Sequence, residues 1–116
     1  MHPFRDENIE VEPERAAQLL RDEDIQLVDV REPYEWEAGR IAGARHIELE
    51  RLAGRAAEVP RDRPVVFQCR LGARSGMATQ AFRAAGWDAY NMAGGIVRWV
   101  ERGLPLEPED GHVAAH

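Results

Sequence analysis

Two short runs, Ile25-Gln26-Leu27-Val28-Asp29-Val30 and Val65-Val66-Phe67-Gln68-Cys69, are apolar at consecutive rather than alternate positions. A strand with one wet face alternates, whereas a strand covered on both faces reads as a nearly continuous apolar run, the pattern of a parallel sheet with helices on either side. The segments between and around these runs carry helical punctuation. Pro13 stands where a first helical position tolerates its missing N–H, ahead of Ala16, Ala17, Leu19 and Leu20. Pro33 opens a brief helix over 34–38 that Gly39 ends, and 51–57 is a weaker helical candidate. From Ser75 onward, Met77, Ala78, Ala81, Phe82 and Ala85 share one face, with Ser75 a favoured cap and Gly86 a favoured stop. A last helix carries Ile96, Val97, Trp99 and Val100 and closes at Gly103 and Pro105. Further short strands are predicted at 8–12, on a sheet edge, and at 89–92, and the stretch 41–47 runs through Gly43 into another. Strands alternating with helices predict an α/β fold, a three-layer sandwich around a largely parallel five-stranded sheet. One domain over 8–106 is expected, with a frayed segment 1–7 before it and a loose acidic tail, 107–116, after it.

In parallel sheets the binding crevice lies at the carboxyl ends of the strands. Asp29-Val30-Arg31 and Cys69 both fall at such ends, so two distant pieces of chain are expected on one rim. The net charge of −6 weighs against binding nucleic acid or an anionic membrane, and no apolar run approaches the roughly 18 residues that a membrane-spanning helix needs. No secretory leader is visible, and a cytoplasmic location is expected. Charge distribution is more informative than its total. From Arg63 to Trp87 there are four arginines and no carboxylate. The one cysteine of the chain, Cys69, lies inside that window, followed by Arg70-Leu71-Gly72-Ala73-Arg74 and the start of a helix at Ser75.

A lone cysteine excludes an internal disulfide, and no CxxC or Cys/His cluster suggests a metal. What the surroundings of Cys69 supply is a field. Loop amides, a helix N-terminus and two arginines all favour an anion, and such a setting activates a thiol. Gly72 allows the positive φ that turns loop N–H groups inward. His46 is the one histidine within the expected folded body, so activation by field is favoured over a Cys–His dyad. These observations predict a reactive thiolate serving a small anionic substrate, a description that suits more than one enzyme class.

Three stretches carry a family resemblance. Residues 29–44, from Asp29-Val30-Arg31-Glu32-Pro33 to Gly43-Ala44, resemble the N-terminal signature of single-domain rhodaneses. Residues 69–75 resemble their active-site loop, and 91–99 with Gly103-Leu104-Pro105 resemble their C-terminal motif. The resemblance implies a rhodanese-like fold and a sulfurtransferase that moves sulfane sulfur from a donor such as thiosulfate to cyanide or a thiol through a persulfide on Cys69. It implies that Arg70, Leu71, Gly72, Ala73, Arg74 and Ser75 bind substrate, with Arg70 and Arg74 attracting the anionic donor. No cofactor and no metal are implied, and a protein sulfur donor or acceptor could dock on the open loop.

Two other readings stay open. A rhodanese-like domain can act as a sulfur carrier or docking module with little turnover of free thiosulfate. A phosphatase or arsenate reductase would use a similar cysteine loop, but that family carries Cys-x5-Arg, whereas Cys69 to Arg74 is Cys-x4-Arg. Asp29 and Arg31 are expected to brace the rim through hydrogen bonds and an ion pair, with Glu35 a candidate partner for Arg31. Trp36 and Trp99 are expected in packing, and Gly94-Gly95 as a plain turn. Arg40 and Glu48 depart from the family pattern, which often has His and Pro there. His112 and His116 have i, i+4 spacing, a weak signal for a metal in a segment expected to be loose.

Overall fold

The computed structural model describes residues 9–116, so the expected frayed segment 1–7 and Asn8 of the first strand lie outside the described residues. The elements alternate along the chain: β1 (Glu10–Val11), α1 (Pro13–Arg21), β2 (Gln26–Asp29), α2 (Pro33–Ala38), β3 (Arg45–His46), α3 (Leu49–Leu52), β4 (Val65–Gln68), α4 (Ala73–Ala84), β5 (Ala89–Met92) and α5 (Gly95–Glu101). The strands form one five-stranded sheet in the order β1-β5-β4-β2-β3. Every pairing is parallel. Both edge strands are two residues long, which leaves little unpaired backbone for another chain to extend.

The consecutive apolar pattern follows from helices on both faces. Successive side chains of a strand point to opposite sides. Leu27 and Val66 therefore join Ala16, Leu19, Ile96 and Trp99 in the core beneath α1 and α5. Val28, Val65 and Phe67 join Leu52, Ala78 and Phe82 in the core beneath α3 and α4. Phe82 packs edge-on to Phe67 with ring centroids 4.9 Å apart and lies 4.7 Å from Trp87. Each such aromatic pair contributes about 0.5–1.5 kcal/mol beyond area burial.

Element boundaries differ from the sequence reading where glycine or tertiary contacts intervene. The stretch 41–47, expected to run through Gly43 into a short strand, does so only at Arg45–His46, the chain turning at Gly43 with a φ of 90°. The helix expected at 51–57 begins at Leu49, and from Ala53 to Glu58 it tightens to a 3-10 stretch kinked at Arg55. α4 starts at Ala73, two residues before the predicted cap. Gly72 occupies the cap position, and Ser75 lies inside the first turn.

The segment expected to be a loose tail instead runs back against α2. Glu107 and Arg40 form an antiparallel bridge, the His112 N–H donates to the Ala38 carbonyl at 2.9 Å, and Val113 packs on the core. Gly39 makes this approach possible, since a Cβ there would stand 2.5 Å from the His112 carbonyl oxygen.

Candidate active site

β4 delivers Cys69 to the carboxyl end of the sheet, and α4 begins four residues later. Cys69 is 1% exposed and free. Its Sγ receives the Gly72 N–H at 3.1 Å, the Ser75 N–H at 3.4 Å and the Ser75 hydroxyl at 3.3 Å. Gly72 reaches this position with a φ of 108°, a conformation that L side chains rarely adopt. The twelve-residue α4 directs its amino end at the sulfur, which adds the partial positive charge of a helix N-terminus.

What holds the loop open comes largely from outside it. The Ile96 N–H donates to the Cys69 carbonyl at 2.8 Å and the Val97 N–H to the Arg70 carbonyl at 3.1 Å. The first turn of α5 thus draws these carbonyls away from the sulfur. A Cβ on Gly95 would lie 2.4 Å from the Arg70 oxygen and 2.5 Å from the Cys69 oxygen, so this contact requires glycine. Asn91 Nδ2 donates to the Gly72 carbonyl at 3.2 Å and fixes that peptide. Thr79 Oγ1 donates to the Ser75 carbonyl at 2.8 Å from inside α4. From sequence alone Gly94-Gly95 is a plain turn, and Asn91 and Thr79 have no role. Two glycines abutting a helix start were the available signal for a close backbone approach.

The two loop arginines have different surroundings. Arg74 makes a bidentate ion pair with Glu35, at 2.8 and 3.0 Å, and Glu35 is fully buried. Its side chain is therefore not free to receive a donor as the sequence suggested. Burial pushes the Glu35 carboxyl up, but the Arg74 hydrogen bonds, the Glu32 amide and the Arg74 charge outweigh it and hold the carboxyl below the usual range. The hydrogen bonds to Glu35 raise Arg74 correspondingly. Among the described residues Arg70 has no such partner, and its Nε is buried and unbonded. The neighbouring Leu71 is 59% exposed, and Ala73 opens α4.

Asp29 and Arg31 are both buried and form their own pair, Nε to Oδ1 at 3.0 Å and Nη2 to Oδ2 at 2.7 Å. Arg31 Nη2 also donates to the Gly39 carbonyl at 2.8 Å, and His46 Nε2 lies 2.7 Å from the Arg31 carbonyl. Arg31 thereby ties the end of β2 to the end of α2. Glu35 is not its partner, because α2 begins at Pro33 and Arg31 precedes the helix. Trp36 stacks on His46 at 5.0 Å, and Trp99 is buried and donates to the Pro105 carbonyl.

The acid-free window in the sequence is not acid-free in space. A cavity of about 230 Å³ beside the loop is lined by Arg74 together with Glu32, Glu48, Glu50 and His116. Glu32, Glu35 and His116 bring possible metal-ligating atoms within 4.8 Å of one another, but Glu35 is already engaged by Arg74 and His112 is not part of the group.

This geometry agrees with what the chain is similar to. The model of a family described as the rhodanese-like domain matches residues 12–102. A sulfurtransferase of Allochromatium vinosum is 38% identical over 104 residues, a match covering 88% of this chain and 97% of that protein. The thiosulfate sulfurtransferase GlpE of Pseudomonas aeruginosa is 37% identical over 90 residues, covering 77% of this chain and 81% of that protein. Among solved structures, a rhodanese-related protein of Thermoplasma volcanium superposes with a TM-score of 0.80 at 26% identity, covering 85% of this chain and 97% of that one. Other relatives are longer, and the match spans 60% of one and 21% of another.

Proposed function

The chain belongs to the rhodanese-like domain family of sulfurtransferases, and from that premise we propose that it moves the outer sulfur of a thiosulfate-like donor to a thiophilic acceptor through a persulfide on Cys69. The observation that carries this reading is the convergence of two N–H groups and one hydroxyl on a single buried sulfur. In the first step the Cys69 thiolate attacks the outer sulfur of thiosulfate. The sulfur–sulfur bond of the donor breaks, its electron pair leaves with sulfite, and Cys69 carries the persulfide. In the second step cyanide, or a thiolate, attacks that outer sulfur, and Cys69 departs as the thiolate. Covalent catalysis thus divides one transfer into two easier displacements. The loop amides favour negative charge at the cradle in every state, and they are in place before reaction. Arg70 is the cation assigned to the donor's sulfonate end, since Arg74 is held by Glu35. Arg74 serves as a positioning residue for the first turn of α4.

The same geometry disfavours phosphoryl chemistry. Its arginine stands one residue closer to the cysteine than a phosphatase loop requires, and its guanidinium is turned to Glu35. A carrier role has one observation in its favour: Leu71 and Met77, at the loop and in α4, are 59% and 65% exposed, a surface suited to a protein donor or acceptor. Residues 8–106 are the proposed working unit, and a lone reactive thiol suits a reducing compartment such as the cytoplasm.

The test is steady-state formation of thiocyanate from thiosulfate and cyanide, with Cys69→Ala as control. Turnover in the parent and none in the variant supports the enzyme. Sulfur loading without turnover would move the assignment to a carrier.

A further inference from the structure

A cavity of about 530 Å³ opens at the amino ends of the strands, on the face covered by α1 and α5. Leu20, Leu27 and Trp99 give it an apolar lining. It is separate from the sulfur cradle. β2 and β4 run in register from Gln26↔Val65 to Asp29↔Gln68, which sets Cys69 four residues, roughly 13 Å, further along the sheet from Gln26. Cys69 also belongs to the core on the opposite face. The volume is within the range of about 300–1,000 Å³ typical of small-molecule sites.

The charges on its lining are not those of an ordinary surface. Arg21, Arg45 and Arg63 stand there with a single carboxylate, Glu23. Arg45 is held by the carbonyl and carboxylate of Glu58. Arg21 and Arg63 have no hydrogen-bond, ion-pair or ring partner among the described residues. Every other described arginine outside the cradle has one. In a chain of net charge −6, carboxylates are plentiful, yet the two described arginines without a side-chain partner, Arg70 apart, both line one apolar cavity. Guanidinium binds carboxylate in a planar, two-pronged geometry, and apolar walls beside it select a molecule with an acidic head and an apolar body.

We propose that this cavity is a second binding site, for a linear amphipathic acid whose chain lies against Leu20, Leu27 and Trp99 and whose carboxylate is held by Arg21 and Arg63. Both arginines are exposed, so their replacement leaves the core intact. The experiment titrates decanoate, below its micelle-forming concentration, into the ¹⁵N-labelled full chain and follows the three tryptophan indole N–H signals. The expected result is a saturable shift of the Trp99 signal with Trp36 and Trp87 unmoved. Affinity should fall at least tenfold in the Arg21→Ala, Arg63→Ala double variant, and decylamine should give no saturable shift. Unmoved Trp36 and Trp87 signals in the double variant show that it is folded. Any of three results would overturn the proposal: an unsaturable or absent Trp99 shift, decanol or decylamine binding as tightly as decanoate, or undiminished affinity in the double variant.

Discussion

Arg70 and Arg74 are four residues apart in one loop, and single replacements should separate their roles. Arg70 has a buried, unbonded Nε, so Arg70→Ala should change stability by no more than about 0.5 kcal/mol. It should raise KM for thiosulfate roughly tenfold, a loss of about 1.4 kcal/mol of donor binding. Arg74→Ala leaves Glu35 as an unpaired buried carboxylate and should cost about 3–5 kcal/mol in denaturant unfolding at neutral pH. Acid supplies an independent check. Because Glu35 is held below its ordinary range in the folded state, its stabilising contribution is full above the unfolded value of about 4.3 and is lost as pH falls through the folded value. The parent should therefore lose stability on acidification below the unfolded value more steeply than Glu35→Gln, measured by urea unfolding. At this scale the position of the candidate nucleophile was legible in the sequence, since a single cysteine follows directly on an apolar strand. The Arg74–Glu35 pair was not. Its members are 39 residues apart, and the spacing rule that pointed Glu35 to Arg31 presumes a helix that has not begun at residue 31.

The elements show why the cradle keeps its shape, and two glycines test this for different reasons. Gly72→Ala meets only ordinary van der Waals contacts, the nearest being Asn91 Nδ2 and the Gly94 nitrogen at 3.7 Å, so the cost is conformational and about 1–2 kcal/mol. Gly95→Ala adds to a φ of 63° a clash with two carbonyl oxygens, neither of which can rotate away without moving the loop. It should depress the thermal midpoint more than Gly72→Ala does. At a temperature where both variants are folded, Gly95→Ala should lose more thiosulfate turnover as well. Equal behaviour of the two variants would show that α5 does not set the loop. The helices and central strands were readable because periodicity and caps are local properties. The hold of α5 on the carbonyls of Cys69 and Arg70 was not, because it depends on how residues 27 positions apart in the chain approach one another. Ser75 shows the same limit. As a serine before a periodic segment it read as a cap, but Gly72 takes that position and frees the Ser75 hydroxyl for the sulfur.

Across the whole molecule, an all-parallel sheet with helices on both faces brings the ends of β2 and β4 to one rim and leaves a separate apolar cavity at the other end. The fold class was legible from two consecutive apolar runs, because only a sheet buried on both faces favours them. The electrostatics of the rim were less so. A 25-residue window without carboxylates suggested an open cationic basin, whereas folding places Glu32, Glu35, Glu48 and Glu50 around Arg74. In the proposed reaction, the attraction for an anionic donor would therefore rest on Arg70, the loop amides and the amino end of α4. The central claim is that this arrangement makes Cys69 the carrier of a single transferred sulfur. Intact-protein mass spectrometry after brief incubation with thiosulfate, without acceptor, tests it most directly. The expected result is a gain of one sulfur atom, mapped to the Cys69 peptide, removed by cyanide and absent in Cys69→Ala. An unmodified Cys69 in the fully reduced parent protein would contradict it.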